Sequence, residues 1–191
     1  MVVLIMTPCF INCSKHQKPE NLIITYQNVF NQHNVDSLMV LYSDDIKFSI
    51  PNMRMNISGI EAMRGIAEYD SVLQTMMKIS NISVKADTVF CSLQEKNEWL
   101  ITVGISSANY PNTKILFHEN KITYFETNLS DSSLKEFGYV MGSLIPWARE
   151  NYPIELDAII PESGFKFDTE NGIRFLELSK KWKESTINIG K

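Results

Sequence analysis

Residues 82–127, ISVKADTVFCSLQEKNEWLITVGISSANYPNTKILFHENKITYFET, decide the fold class. Short runs of alternating apolar and polar side chains follow one another closely: Ile82 to Lys85, Asp87 to Gln94, Glu98 to Ile105, Lys114 to His118 and Lys121 to Thr127. A period of two puts every second side chain on one face, as a half-buried strand requires. Glu95-Lys96-Asn97 and Glu119-Asn120 are short polar connections, so antiparallel hairpins are the natural pairing. Within this meander Trp99, Ile101, Val103 and Ile105 are expected to share a face. Trp99 then either packs in the core or lines a ligand site. Tyr124 and Glu126 fall on the face of Ile122, and Glu126 reads as either a pocket acid or a solvated edge residue.

Upstream the period changes to that of a helix. Leu22, Tyr26, Val29 and Phe30 stand at i, i+4, i+7 and i+8 within residues 19–34, and Val35 to Tyr42 reads as a second, short helix using Leu38, Leu41 and Tyr42. Ser43-Asp44-Asp45 reads as a turn, and Ile46, Phe48 and Ile50 alternate up to Pro51 as a strand does. From Gly59 the spacing predicts a helix with Ala62, Met63, Ile66, Tyr69, Leu73 and Met77 on one side and Glu61, Arg64 and Glu68 opposite. Asp70 is the one charged residue on the apolar side. Downstream, Leu134, Phe137, Met141, Leu144 and Ala148 recur at helical spacing, with Pro146 expected to kink or restart the helix. Residues 152–164 read as a loop. Asp168 or Thr169 can cap a last helix that buries Phe175, Leu178 and Trp182. Helices followed by a meander build an α+β domain with one helical cover, not a doubly wound sheet. The chain accordingly divides into residues 1–18 as a leader and linker, 19–128 as the sheet domain, and 129–191 as a helical extension of that domain.

Composition narrows the function classes. Among 191 residues, 44% are hydrophobic and 21% charged, which is globular and not disordered. A net charge of -4 without basic runs gives nothing to neutralise phosphates, so nucleic acid is not an expected partner. His16, His33 and His118 lack the close spacing with other ligating side chains that a metal needs, and no metal or cofactor is expected. Met1 to Ile11 is almost wholly apolar and gives way to Asn12-Cys13-Ser14-Lys15, the pattern of an export signal. Phe10-Ile11-Asn12-Cys13 is similar to a loose bacterial lipobox, although Asn12 replaces the usual small residue and no basic residue precedes the apolar run. The expectation is an exported protein, periplasmic or anchored to a bacterial membrane only through acylated Cys13. Cleavage there would leave Cys91 as the one free thiol, set as a small buried hydrophobe beside Val89 and Leu93.

A family resemblance rests on specific stretches. Tyr26 on its helix, Asn34-Val35-Asp36, Leu41-Tyr42-Ser43-Asp44-Asp45-Ile46-Lys47-Phe48 before a proline, Gly59-Ile60-Glu61, Asp87-Thr88-Val89 and Phe117-His118-Glu119-Asn120-Lys121-Ile122 follow in order. Over about residues 20 to 128 the chain resembles the nuclear transport factor 2-like (SnoaL-like) superfamily. The resemblance implies a cone-shaped curved antiparallel sheet packed by N-terminal helices, an apolar pocket between them, and often a homodimer through the outer face of the sheet. The residues after Asn128 resemble a C-terminal helical extension of some bacterial members.

That superfamily includes isomerases, polyketide cyclases, epoxide hydrolases and members that only bind, so the fold does not choose among them. Tyr26 matches the helix tyrosine of the isomerases. Their first carboxylate is replaced by Ile50, before Pro51, and Asn112 or Thr113 stands where the second belongs. The cyclase His and Asp positions are similar to Phe125 and Thr127 here, with Glu126 one residue away on the opposite strand face. The residues therefore suggest an exported module that binds a small, mostly apolar molecule through Tyr26, Ile66, Asp70, Leu73, Trp99 and Tyr124. The alternative is an isomerase, cyclase or hydrolase with an atypical acid/base set around Tyr26 and Asp70, since an isolated carboxyl in an apolar setting persists only with a partner or a purpose.

Overall fold

The structure is a computed structural model that describes residues 17–162 and 164–188. The apolar leader and Cys13 lie outside the described residues. Among these, no helix is long and apolar enough to cross a membrane.

Two helices open the domain. In α1 (Pro19–Phe30) the first residue is a proline, whose missing N–H is not needed at a helix start, and Leu22, Ile23, Tyr26 and Phe30 are buried. The second helix, α2 (Val35–Met39), is capped by Asn34, whose side chain accepts from the Ser37 amide. Tyr42, expected at the end of that helix, instead starts β1 (Tyr42–Ile50). A single tight turn, Pro51–Met53, leads into β2 (Met55–Ser58), a short strand the sequence did not reveal. Next comes α3 (Ile60–Val72), which stops earlier than its apolar spacing suggested. Gln74 takes a left-handed conformation, so Met77 belongs to β3 (Met76–Lys85) and not to the helix face. Ala62 is exposed, and Ala67 takes the inward place.

The segment after β4 (Thr88–Lys96) corrects the meander. Residues Glu98–Val103 form a helix, α4, and not a strand. Asn97 caps it by accepting from the Leu100 amide, and Gly104 closes it at φ 90°, a backbone conformation that glycine adopts without strain. Those two ends outweigh the strand preference of the Trp-Leu-Ile-Thr-Val run. Ile101, expected inside, is 70% exposed, while Trp99, Leu100 and Val103 are buried on the helix's inner side. Two longer strands follow, β5 (Ala108–His118) and β6 (Lys121–Asn128), and then α5 (Asp131–Asn151), which runs on through Pro146. Within the expected loop of residues 152–164, α6 (Pro153–Ile159) forms on a proline start. Finally, α7 (Thr169–Asn188) has its first turn capped by Asp168, whose Oδ1 accepts from the Asn171 amide at 2.8 Å.

All six strands form one curved open sheet in the order β2-β1-β6-β5-β4-β3. The neighbours pair antiparallel except β1 and β6, which are parallel, so the sheet is mixed and not wholly antiparallel. No hairpin can dictate that pair, because almost the whole domain lies between the two strands in sequence and returns as a crossover. Curvature has identifiable sources. Register shifts put extra residues at Asn81–Ile82 in β3, Pro111–Asn112 in β5 and Thr123 in β6. Bulges bend a strand and raise its twist. Two of these bulges are tied across β4, since Asn81 Nδ2 donates to Ser92 Oγ (3.2 Å), which donates to the Pro111 carbonyl (3.1 Å).

Helix α1 lies along the β3 edge of the sheet. Asn31 both donates to the Met77 carbonyl (2.9 Å) and accepts from its amide (2.8 Å), and Gln27 accepts from the Ile79 amide (2.6 Å). The C-terminal helices pack on the far side of α3 and on α4. There Trp99 stacks on Phe175 at 5.4 Å and 21° and meets Phe137 at 5.2 Å. Its indole N–H donates to Ser179 Oγ at 3.0 Å, so its polar end is satisfied.

Candidate functional site

The inner face of the sheet and the helices α1 and α3 enclose a chamber. Its aromatic wall is Tyr26, Phe30, Tyr42, Phe48, Tyr110 and Phe125, and α3 contributes Met63, Ile66, Ala67 and Asp70 at i, i+3, i+4 and i+7. Glu95 and Thr127 reach it from β4 and β6, and Ile50 from the end of β1. The cavity has a volume of about 50 Å³. One buried water needs about 10–15 Å³ on that measure, so it holds a few waters or one compact molecule.

At the centre is a network of tyrosines. Tyr42 Oη donates to Tyr26 Oη at 3.0 Å, and the Tyr26 ring lies 6.0 Å from those of Phe30, Tyr42 and Phe125. Burial raises both hydroxyls well above the ordinary tyrosine value, so each stays protonated.

Two carboxyl groups face this network. Asp70 accepts from Thr75 Oγ1 at 3.2 Å through Oδ1, and Thr75 in turn accepts from Asn97 Nδ2 at 3.4 Å. Glu95 accepts from Tyr110 Oη at 2.7 Å through Oε2. Among the described residues the other oxygens, Asp70 Oδ2 and Glu95 Oε1, take no hydrogen bond. Both side chains lie deep in protein yet keep some accessible surface, and both line the cavity. Burial pushes the Asp70 carboxyl well above the usual range, and the nearby Glu95 charge raises it further against the opposing Thr75 bond. Burial likewise raises Glu95 against the opposing bond from Tyr110. No lysine, arginine or histidine lines the chamber among the described residues. A small recess bounded by His33, Asn34, Val35 and Ser71 shares Phe30, Leu38, Ala67 and Asp70 with the chamber wall, so Asp70 stands between the two.

Of the residues singled out from sequence, Tyr26, Ile66 and Asp70 are brought together here. Leu73 is buried at the end of α3 but off the chamber wall. Trp99 lies in the packing against α7, because α4 turns it away from the sheet. Tyr124 is on the outer face, its hydroxyl bonded to Glu126 Oε2 and its ring under Lys114. The Thr123 bulge puts Ile122, Phe125 and Thr127 inside and Tyr124 and Glu126 outside. Thr113 and Thr127 bond each other at 2.6 Å, buried. Glu95, Tyr42 and Tyr110 line the chamber without having been singled out from the sequence, and of these Glu95 had a local signal. Its position continues the inward alternation Val89, Cys91, Leu93, and that signal was there to be read.

No protein-family model matches the sequence, and no curated protein matches it. Solved structures do. One similar chain is the epoxide hydrolase/cyclase-like enzyme SalBIII, with a role in pyran ring formation in the polyether salinomycin. It is 14% identical with TM-score 0.54, the match covering 62% of this chain and 95% of that one. A putative SnoaL-like polyketide cyclase from Shewanella putrefaciens is 12% identical with TM-score 0.52, over 71% of this chain and 96% of that one. An NTF2-like protein of unknown function from Cytophaga hutchinsonii is 9% identical with TM-score 0.51, over 64% and 98%. Identities this low speak for the fold alone. With the mixed curved sheet, the helices over its inner face and the chamber between them, they place the chain in the nuclear transport factor 2-like (SnoaL-like) fold.

Proposed function

We propose that this protein binds a small molecule in the chamber between α1, α3 and the inner face of the sheet. The observation that carries this reading is a cavity walled by rings and aliphatic side chains, in which two carboxyl groups each keep one oxygen without a hydrogen bond. Neither oxygen is sealed off from its surroundings, so both are open to a ligand that donates to them or carries a countercharge. The similar structures named above include enzymes of small-molecule chemistry, which supports the same placement of a ligand. The test is a small-molecule screen read by methyl NMR. Binding in the chamber shifts Ile50, Ile66 and Leu93 together and is abolished by Ala67→Phe, which fills the shared wall. Shifts confined to the outer face, or unchanged in Ala67→Phe, would sink the reading.

A second reading is favoured by the two carboxyls themselves. A pair that shares one proton can supply an acid and a base at once, the requirement of isomerase, cyclase or hydrolase chemistry. Asp70→Asn and Glu95→Gln would then abolish turnover and leave the fold intact.

Export with acylation at Cys13 belongs to the same proposal, as does pairing of copies through the outer face. The mass of the mature N-terminus tests the first, an intact Met1 ruling it out. Sedimentation tests the second.

A further inference from the structure

We propose that the chamber takes a small alkylammonium cation, held between the Asp70 and Glu95 carboxyls and the rings of Tyr26, Tyr42 and Tyr110. This inference rests on the binding reading above and names its ligand class.

The titratable groups that face the cavity are Tyr26 on α1, Tyr42 on β1, Asp70 on α3, Glu95 on β4 and Tyr110 on β5, while β6 supplies only Phe125 and Thr127. His33 stands behind Asp70 in the adjoining recess. All the ionisable groups on the wall are acids, so any charge the chamber can develop is negative. An anionic ligand would meet carboxyls and the electron-rich faces of aromatic rings, both repulsive. A neutral ligand can fill the space but gives the two free carboxyl oxygens no countercharge. A cation meets both, because ring faces attract alkylammonium groups and the carboxyl oxygens Oδ2 and Oε1 are unengaged. The volume of about 50 Å³ confines the choice to a compact head.

The occupied and empty states then differ in protons. Empty, the carboxyls hold protons to higher pH than usual because burial disfavours their charge. A bound cation restores the charged form, so binding releases protons. Affinity therefore rises with pH through the range in which the pair titrates and levels off above it.

The experiment is an NMR titration of the whole chain with tetramethylammonium chloride and, separately, with tert-butanol, which has the same number of heavy atoms and no charge. Sodium chloride keeps the ionic strength constant. At neutral pH the cation is expected to bind at least about tenfold more tightly than the alcohol, and more weakly as the pH is lowered. Calorimetry in buffers of different ionisation enthalpy should register proton release. The double variant Asp70→Asn/Glu95→Gln should lose about tenfold or more in cation affinity and keep its affinity for the alcohol, with amide spectra confirming its fold. Tyr110→Phe, which keeps the ring, should retain the cation. Equal binding of the two probes, or cation binding unchanged in the double variant, overturns the cation inference and leaves the chamber as a binding site. Failure of both probes, with no hit in the wider screen, overturns both readings.

Discussion

One helix, α3, has two faces built on opposite principles. Met63, Ile66, Ala67 and Asp70 look into the chamber, where there is free space and where two carboxyl oxygens are unmet. Gly65, Tyr69 and Val72 look the other way, into the C-terminal helices, and there the fit is close. A Cβ built on Gly65 would lie 2.5 Å from the Phe167 carbonyl oxygen, and one on Gly172 would lie 3.2 Å from Val72. The Tyr69 ring meets Phe165 and Phe167 edge-on at 5.7 and 5.3 Å. Close packing is where stability is made. The seam with α7 supplies it, and the chamber spends some on a site that would be more stable if it were apolar throughout.

That contrast can be broken from either side. Trp99→Ala removes the stack on Phe175 and the tilted contact with Phe137 and takes the indole donor from Ser179 Oγ, which still donates to the Phe175 carbonyl. Urea denaturation should show a loss of about 3–5 kcal/mol, the cost of emptying a large buried aromatic site. Gly65→Ala forces a methyl group against the Phe167 backbone carbonyl, and the same measurement should read a loss of about 1–3 kcal/mol. A loss below a few tenths would mean that the seam yields more readily than its geometry implies.

Asn97 belongs to both sides, because its Oδ1 caps α4 and its Nδ2 reaches Thr75, the donor to Asp70. Asn97→Ala should cost about 1 kcal/mol for the lost cap. The Asp70 carboxyl resonance should also change its titration in this variant, which capping alone would not cause.

The smallest effect, of opposite sign, is expected for Asp70→Asn. The folded-state pKa of Asp70 lies above its unfolded value of about 3.9, so the folded state binds the extra proton between those two values. Wild-type stability is thus fullest below the unfolded value and falls as pH rises through the folded one. The variant, which cannot ionise, should match the wild type at low pH and become progressively more stable by comparison towards neutral pH. A gap that shrinks with rising pH would show that Asp70 is stabilised as an anion.

Much of this contrast was legible in the letters. The helical spacing of Met63 and Ile66, with Asp70 as the one charge on that side, already placed an acid among apolar residues, whereas Tyr69, expected on the same side, turns to the opposite face against Phe165 and Phe167. What stayed hidden depended on the ends of elements. The Trp99 to Val103 run alternates like a strand, and only Asn97 and Gly104, seven positions apart around it, mark it as a helix. Glu95, expected in the connection Glu95-Lys96-Asn97, belongs to the strand for the same reason. Once β4 extends to Lys96, the alternation from Val89 carries Glu95 inward. The parallel pairing of β1 with β6 could not be read at all, because no local signal joins strands so distant in the chain. In contrast, the proline starts of α1 and α6 depend on neighbouring residues alone.

The clamp of Gln27 and Asn31 on β3 bears on crowding as well as on shape. By holding the amides of Met77 and Ile79 and the Met77 carbonyl, these two side chains leave an incoming chain fewer free rungs on which to lay a strand. The opposite border, β2, offers only four residues. Ribbon-like growth into fibres is discouraged at both ends, and any assembly of copies is directed to broad surfaces.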